Sequence, residues 1–543
     1  MMPTLKFFFA TYSYYIIFAL FIAWAAALIL SARGHKMAIF NWLRLHTKAI
    51  LFTFLITAGT FISVPPGYRV LSDETNLLSV SRSMTFEKKV DNVTEGKSYY
   101  GSFWPTARSI EKRPFMFPFG VHLLHQVLGY NNTNAFVFNF LCFWALLLVV
   151  FLLVQGYVGK MWAVAGVIAV AAQPMVALFA TSGSTEIFNA LFMGLSFITL
   201  RRFLRQPSTL TFTVLVLTLL MLINIRYESV VFLGVIGVFL LAGGFVRLEY
   251  LKRNPLLWCA PLFVLPWVLQ RVIMSTLKDV NLVGNSWVDS FRWEYAAYNI
   301  KPFFKYIFDA GGNLGYAGVI NISGALGLGY FAFLVLSKRH VIPEKNRQFL
   351  FAVPLAALLA WFILVIAYQG GINDHPTNGR LYLPVLILLS VFAVGFAAHL
   401  TQKSVTAGIY GVVAAMALFV FYHPVAMENR LSNKLFIIRE DRFARDFLHK
   451  QPDKNVLVIS SRPGQLIVEE YGAISFGTAN RQKRVIKQEL RNRLYRAVYA
   501  IQAISYKTKK PLKDWELDAA YELRPVEVLQ MTAEYYFQIS EVR

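Results

Sequence analysis

The sequence predicts an α-helical polytopic membrane protein with a small α/β soluble domain at its C-terminus. Three observations carry that prediction. First, 56% of the 543 residues are hydrophobic, only 15% are charged, and the mean hydropathy is +0.50. A disordered or tail-like nucleic-acid-binding chain would need more charge and fewer apolar residues. Second, apolar runs approaching bilayer length recur from Phe7 onward. Third, Lys and Arg cluster between those runs, in alternate loops.

About twelve apolar runs qualify as candidate spans: residues 7–30, 50–64, 135–157, 161–181, 185–200, 210–225, 229–246, 256–273, 315–336, 349–367, 381–400 and 407–421. The first is too long for the apolar core of a cleaved signal and is expected to be retained. The joins at 181–185 and 225–229 are short enough to make each flanking pair a helical hairpin. Cys142 and Cys259 both fall inside spans, so no structural disulfide is expected.

The net charge of +23 would suit nucleic acid in a soluble protein. Here the basic residues sit where they orient spans and meet anionic lipid, so the expected partner is the membrane and no nucleic acid. Arg33, Lys36, Arg44 and Lys48 follow the first span, Arg201, Arg202 and Arg205 the fifth, and Arg247, Lys252 and Arg253 the seventh. Lys338, Arg339, Lys345 and Arg347 follow the ninth. Loops after odd-numbered spans are therefore expected in the cytoplasm, and the N-terminus, loop 65–134, loop 275–313, loop 370–380 and the tail outside it. Residues 35–48 mix basic and apolar side chains, which suits a helix lying in the interface or an ordinary connection.

Two domains follow: a transmembrane domain over 1–426, including the outer loop 65–134, and a non-cytoplasmic α/β domain over 427–543. In the latter, 455–460 reads as a buried strand. Ile486, Leu490, Leu494, Val498 and Ile501 recur at helical spacing, and 526–531 and 535–539 read as closing strands. Arg462-Pro463-Gly464 is a turn, and no glycine-rich phosphate loop accompanies it. The absence of an internal repeat counts against a transporter built from two related halves.

The chemistry gathers on the outer side. Asp73-Glu74 stands a few residues beyond the second span, where a general base could reach a substrate at the membrane surface. After Ser72 the same acids suit a helix N-terminus, and from spacing alone that is the commoner use. Lys112 and Arg113, before Pro114-Phe115-Met116-Phe117-Pro118, are placed to meet lipid phosphate. His122 and His125 lack a carboxylate at matching spacing and argue little for a metal. Glu186 opens the fifth span; Arg226 and Glu228 occupy the next outer turn; Asp374, His375 and Arg380 stand at the outer end of the eleventh. Ionisable groups at such places are costly and usually functional. Helix capping or mutual ion pairing is the bland alternative. A cavity bearing both acids and arginines would suit a substrate carrying a phosphate.

Asp73-Glu74, then Tyr99-Tyr100-Gly101, Arg113-Pro-Phe-Met-Phe-Pro118 and Leu128-Gly-Tyr-Asn131, together resemble the GT-C glycosyltransferases. The protein mannosyltransferases and the aminoarabinose and lipopolysaccharide-core sugar transferases are the types most similar. Arg226-Tyr-Glu228 and Arg380-Leu-Tyr-Leu-Pro384 add to the likeness, which spans roughly residues 50–400. Two features depart from the family pattern: Pro-Phe-Met stands where Pro-Pro-Leu is usual, and an extra span precedes the catalytic loop.

The resemblance implies an inverting transfer from a polyprenyl-phosphate-sugar donor to a glycan, lipid or protein acceptor on the outer face, in a bacterial inner membrane. By that analogy Asp73 is the base, Glu74 orients Asp73 or the acceptor, and Glu186 is a second acid. Lys112, Arg113 and Arg380 would meet the donor phosphate, with Arg226, Glu228, Asp374 and His375 completing the substrate site. Some members use a divalent metal ion and others do not, which leaves that cofactor open. A multi-span transporter and a polysaccharide ligase or polymerase are the rival readings. The long first loop and the outer domain oppose a transporter, and the absence of a His from loop 275–313 opposes a ligase.

Overall fold

The computed structural model describes residues 2–33, 36–276, 290–310, 315–337, 347–374, 376–430 and 436–543. The chain divides into two compact units. The first comprises Met1–Gly67, Lys112–Phe117 and Ala135–Leu431; the second comprises Tyr68–Glu111, Pro118–Asn134 and Ser432–Arg543.

The first unit is helical. Seven helices are long and apolar enough to cross a membrane: Leu5–Ala32, Arg44–Ser63, Asn134–Val158, Glu186–Arg205, Pro255–Met274, Thr377–Leu400 and Val405–Pro424. An eighth span is broken, because Lys160–Ala171 and Pro174–Ala180 meet at 75°. Pro174 supplies no amide hydrogen and holds Gln173 extended, which ends the first piece. The fully buried Gln173 side chain ties the break to two other helices, its Nε2 donating to Asn321 Oδ1 at 2.7 Å and Ser390 Oγ at 3.0 Å.

Four further apolar helices are shorter: Thr209–Ile223, Tyr227–Ala242, Gly318–Leu334 and Ala352–Ile366. Every expected span therefore overlies a helix. By length and composition, though, the described helices give seven or eight crossings, and the expected twelve is reached only by counting the short ones. The protein is a multi-pass membrane protein. One continuous helix, Lys36–Ser63, replaces the separate interfacial segment that the basic stretch suggested.

The second unit is built on a seven-stranded sheet of order β2-β1-β4-β3-β5-β7-β6. Its strands are β1 (Asp91–Tyr99), β2 (Ser102–Ile110), β3 (Val456–Ile459), β4 (Gly472–Ile474), β5 (Ala497–Ser505), β6 (Leu523–Gln530) and β7 (Tyr535–Val542). β1 and β2 form a hairpin whose two turn residues, Tyr100 and Gly101, both have positive φ, 49° and 78°. That is the type I′ geometry matching strand twist. The hairpin joins the tail's strands through Gly96, opposite Ala473 of β4.

Both sheet faces are covered. Phe443, Phe447 and Leu448 of helix Phe436–His449 pack with Val456, Val458 and Ile501. Phe476, Ala479 and Ile486 pack with Leu457, Ile459 and Val498 on the other face.

Two expectations need correction. The outer loop does not belong wholly with the transmembrane helices, since most of 65–134 folds into one unit with the tail. The helical reading of 486–501 covers a helix only over Lys483–Arg491, and Val498 and Ile501 lie in β5. A strand buried on both faces carries apolar residues at every spacing, including the helical one.

Candidate active site

In the first unit, four of the singled-out charges meet. Glu186 is the first residue of helix Glu186–Arg205 and is 4% exposed. The turn before it is held by Asn139, whose Nδ2 donates to the carbonyls of Ser182 and Ser184 at 2.6 and 2.9 Å. Arg226 Nη1 donates to Glu186 Oε1 at 2.6 Å, while its Nη2 and Nε fork onto the two oxygens of Glu228 at 2.9 and 3.2 Å. Arg380 Nη1 stands 3.5 Å from the same Glu186 oxygen. Mutual ion pairing, the bland alternative, is therefore part of what these residues do.

The segment carrying Arg380 is tightly fixed. It is a 3-10 turn, Arg380–Tyr382, whose Tyr382 hydroxyl donates to the Gly371 carbonyl at 2.6 Å. Trp361 Nε1 donates to the Leu381 carbonyl at 3.1 Å. Gly379 is required by close approach, since a Cβ there would collide with the Tyr316 hydroxyl.

Residues 112–116 are tied to the same region through their backbone. Gln270 Nε2 donates to the Arg113 carbonyl at 2.7 Å and Arg271 Nη2 to the Lys112 carbonyl at 2.9 Å. Met116 N donates to the Asn224 carbonyl at 2.9 Å. Arg271 in turn stacks 4.1 Å from the Tyr227 ring centroid. The apolar piece between Pro114 and Pro118 is buried among helices, with Phe115 against Phe9 and Phe117 against Phe138 and Phe188.

Tyr368 lies in the field of these charges. Burial, and then Glu228, pushes its hydroxyl up, while Arg113, Arg226 and Arg380 act the other way. Arg113 thus lies in the field of the same cluster. The group holds four basic residues, Arg113, Arg226, Arg271 and Arg380, against two carboxylates. Its excess of positive charge suits an anion. Lys112 and Asp374 are exposed, and His375 lies outside the described residues.

Tyr368 and Arg271 were missed by the sequence reading. Arg271 had a signal, an ionisable group inside an apolar span. Tyr368, an aromatic at a span end, had none.

In the second unit, Asp73 and Glu74 stand in the first turn of helix Leu71–Glu87 and do different things. Glu74 is fully buried and turns back on its own chain, Oε2 accepting from Arg69 N at 2.6 Å and Val70 N at 2.8 Å. It closes the helix start, although Ser72 lies inside the helix and the N-cap residue is Val70. Asp73 is half-buried, its amide donating to the Val70 carbonyl at 2.8 Å.

Burial lowers the Arg69 guanidinium to about 10, with Glu74 acting against the shift. His122 and His125 serve as buried hydrogen-bonding groups. His122 Nδ1 pairs with Thr85 Oγ1 at 3.0 Å, and His125 bridges Ser81 Oγ at 3.2 Å and Asn134 Nδ2 at 2.8 Å. Among the described residues no group of three or more His, Cys, Asp or Glu is placed to hold a metal ion.

Residues 112–273, which include most of the basic cluster and both its carboxylates, match the family model described as dolichyl-phosphate-mannose-protein mannosyltransferase. The chain is similar to the GT-C glycosyltransferases. Two solved structures are similar as well. One is ArnT from Cupriavidus metallidurans bound to undecaprenyl phosphate, with a TM-score of 0.47 and 13% identity over 92% of this chain and 98% of that one. The other is the Archaeoglobus fulgidus oligosaccharyltransferase in complex with Zn and sulfate, with a TM-score of 0.46 and 12% identity over 83% of this chain and 67% of that one. Comparison with curated proteins finds no match.

Proposed function

We propose that this protein is an inverting glycosyltransferase that moves a hexose or pentose from a polyprenyl-phosphate donor to an acceptor on the outer face of a bacterial inner membrane. The observation that carries the reading is the cluster of four arginines around Glu186 and Glu228, most of it within the segment matching the mannosyltransferase family model. That model's description names a dolichyl-phosphate sugar, which is a polyprenyl-phosphate donor. The reaction expels a phosphate, and preorganised arginines stabilise the charge that develops on it.

Asp73 takes the proton of the acceptor hydroxyl as its oxygen attacks the anomeric carbon. The bond from that carbon to the phosphate oxygen breaks, and its electron pair leaves with the lipid phosphate. One base and a stabilised leaving group suffice for inversion, with no covalent nucleophile. Lys112, Arg113 and Arg380 receive the phosphate. Glu186 and Glu228 hold Arg226 in place and keep the arginines from self-repulsion when the donor is absent. Glu74 keeps the helix start that bears Asp73, and Asp374 and His375 contribute to substrate binding. The acceptor is a glycan, a lipid or a protein, and the tail faces the periplasm.

The test is the mass profile of envelope glycans, lipids and proteins from cells carrying the wild-type chain or Asp73→Asn. One species gaining a single hexose or pentose only with the wild-type chain is the expected result. Identical profiles would remove the proposal.

A further inference from the structure

Arg445 is an arginine of the C-terminal tail that is 9% exposed, and its charge is held on several sides. Its Nε donates to Asp441 Oδ2 at 2.7 Å and its Nη2 to the Gln465 carbonyl at 2.7 Å, and it forms an ion pair with Glu469. Glu469 is itself fixed by Asn132 Nδ2 at 3.0 Å and His449 Nε2 at 2.8 Å. The guanidinium so anchored lies 5.3 Å from the ring centroid of Tyr68. Tyr68 is half-buried, but its hydroxyl is buried in the field of Arg445, Asp441 and Glu74, and that burial pushes it up to about 12.

Tyr68 directly precedes Arg69 and Val70, whose amides Glu74 collects, and the Val70 carbonyl receives the Asp73 amide. Arg445 therefore reaches Asp73 through one stacked ring, one short segment and one capping carboxylate. A buried ion-pair network is weak evidence for stability, because well-packed apolar residues usually hold a fold as well. Its planar, directional bonds do fix where a neighbouring group sits.

We propose that Arg445 and Tyr68 are positioning residues, through which the tail sets the orientation of Asp73. This gives the C-terminal segment a part in the transfer reaction, and it rests on the assignment of Asp73 as the base. The chemistry asks for such a device. The half-buried carboxylate must meet an acceptor hydroxyl in one geometry, and small misplacements of a base cost large factors in rate.

The test uses the full-length protein purified in detergent, with sugar transfer from a polyprenyl-phosphate-sugar donor. Arg445→Met and Tyr68→Leu should each lower kcat at least tenfold and leave the donor KM within twofold. Tyr68→Phe, which keeps the ring, should fall less than threefold. In an Asp73→Asn background neither Arg445→Met nor Tyr68→Leu should lower kcat further, since residues acting as one unit are not additive. If Arg445→Met does not fold, the Tyr68 series decides alone. Full kcat in Tyr68→Leu, or a loss that multiplies with that of Asp73→Asn, would overturn the positioning role. If Asp73→Asn itself turns over at the wild-type rate, the base assignment fails, and this proposal fails with it. An inactive Asp73→Asn beside a fully active Tyr68→Leu would remove the positioning role alone.

Discussion

Arg226 is the most heavily committed charge in the transmembrane unit, and Arg226→Met should expose that commitment. The substitution deletes three charge-assisted hydrogen bonds, at 2.6, 2.9 and 3.2 Å, from a site where both carboxylates are under 10% exposed. Glu186 keeps Arg380 at 3.5 Å, but Glu228 loses both of its contacts with Arg226. Breaking a buried pair from one side costs about 3–5 kcal/mol, because the stranded charge stays desolvated. The thermal midpoint of the purified protein should fall by several degrees, and sugar transfer should fall as well. Adding Glu228→Gln removes the stranded charge, so the double variant should regain most of the stability and none of the activity. Unchanged stability in Arg226→Met would refute the reasoning, since it would mean that water already satisfies these carboxylates.

Other outcomes follow from the same structure. Gly379→Ala drives a methyl group into the Tyr316 hydroxyl beside Arg380, so it should cost about 1–3 kcal/mol of stability and weaken transfer, measured on the same preparation. His122 and His125 are held neutral, chiefly by burial, with their protonation pushed down to about 4 from an ordinary 6.5. Between those values the unfolded chain binds more protons, so their contribution is complete above about pH 6.5 and is lost as pH falls toward 4. Glu440, pushed up to about 7 by burial, works in the opposite direction, so the comparison must be with His125→Gln. That variant should lose less thermal midpoint than wild type between pH 7 and pH 4.5, and equal losses would contradict the assignment. A single cysteine at Arg202 should resist an impermeant thiol reagent in intact cells, whereas one at the exposed Asp453 should react; labelling at 202 would invert the topology.

Local features of this chain were legible in its sequence, and long-range pairings were not. Every apolar run that reads as a span overlies a helix, whereas the helix Trp293–Ile307 lies in a stretch that reads as an outer loop; the strands at 456–459, 523–530 and 535–542 lie close to where short apolar runs placed them. The β1–β2 hairpin is not legible because its first strand carries Asp91, Asn92, Glu95 and Lys97, of which Glu95 and Lys97 have partners far along the chain. Lys97 is paired with Glu489 at 2.9 Å, and Glu95 Oε1 accepts from Ser475 N at 3.2 Å. No window of neighbouring residues contains those partners.

The candidate site divides the same way. Charges at span ends pointed to Glu186, Arg226, Glu228 and Arg380, because such groups are expensive beside a bilayer. That Arg226 takes both carboxylates while Arg380 meets Glu186 is a matter of side-chain reach between distant segments. The different fates of Asp73 and Glu74 were also hidden. Adjacent acids look alike in sequence, and only the backward turn of Glu74 onto the Arg69 and Val70 amides separates the capping group from the half-exposed one.

The central claim is that Asp73 is the base of a polyprenyl-phosphate-dependent sugar transfer, and purified Asp73→Asn tests it most directly. Asparagine keeps the size and polarity of the side chain and caps a helix as well as aspartate does, so the fold should survive. With a polyprenyl-phosphate-sugar donor and an acceptor identified from the mass profile, turnover should drop by about 10²–10⁴-fold while donor binding stays near that of the wild type. Transfer by Asp73→Asn at close to the wild-type rate would contradict the account and leave Asp73 as a helix-start residue.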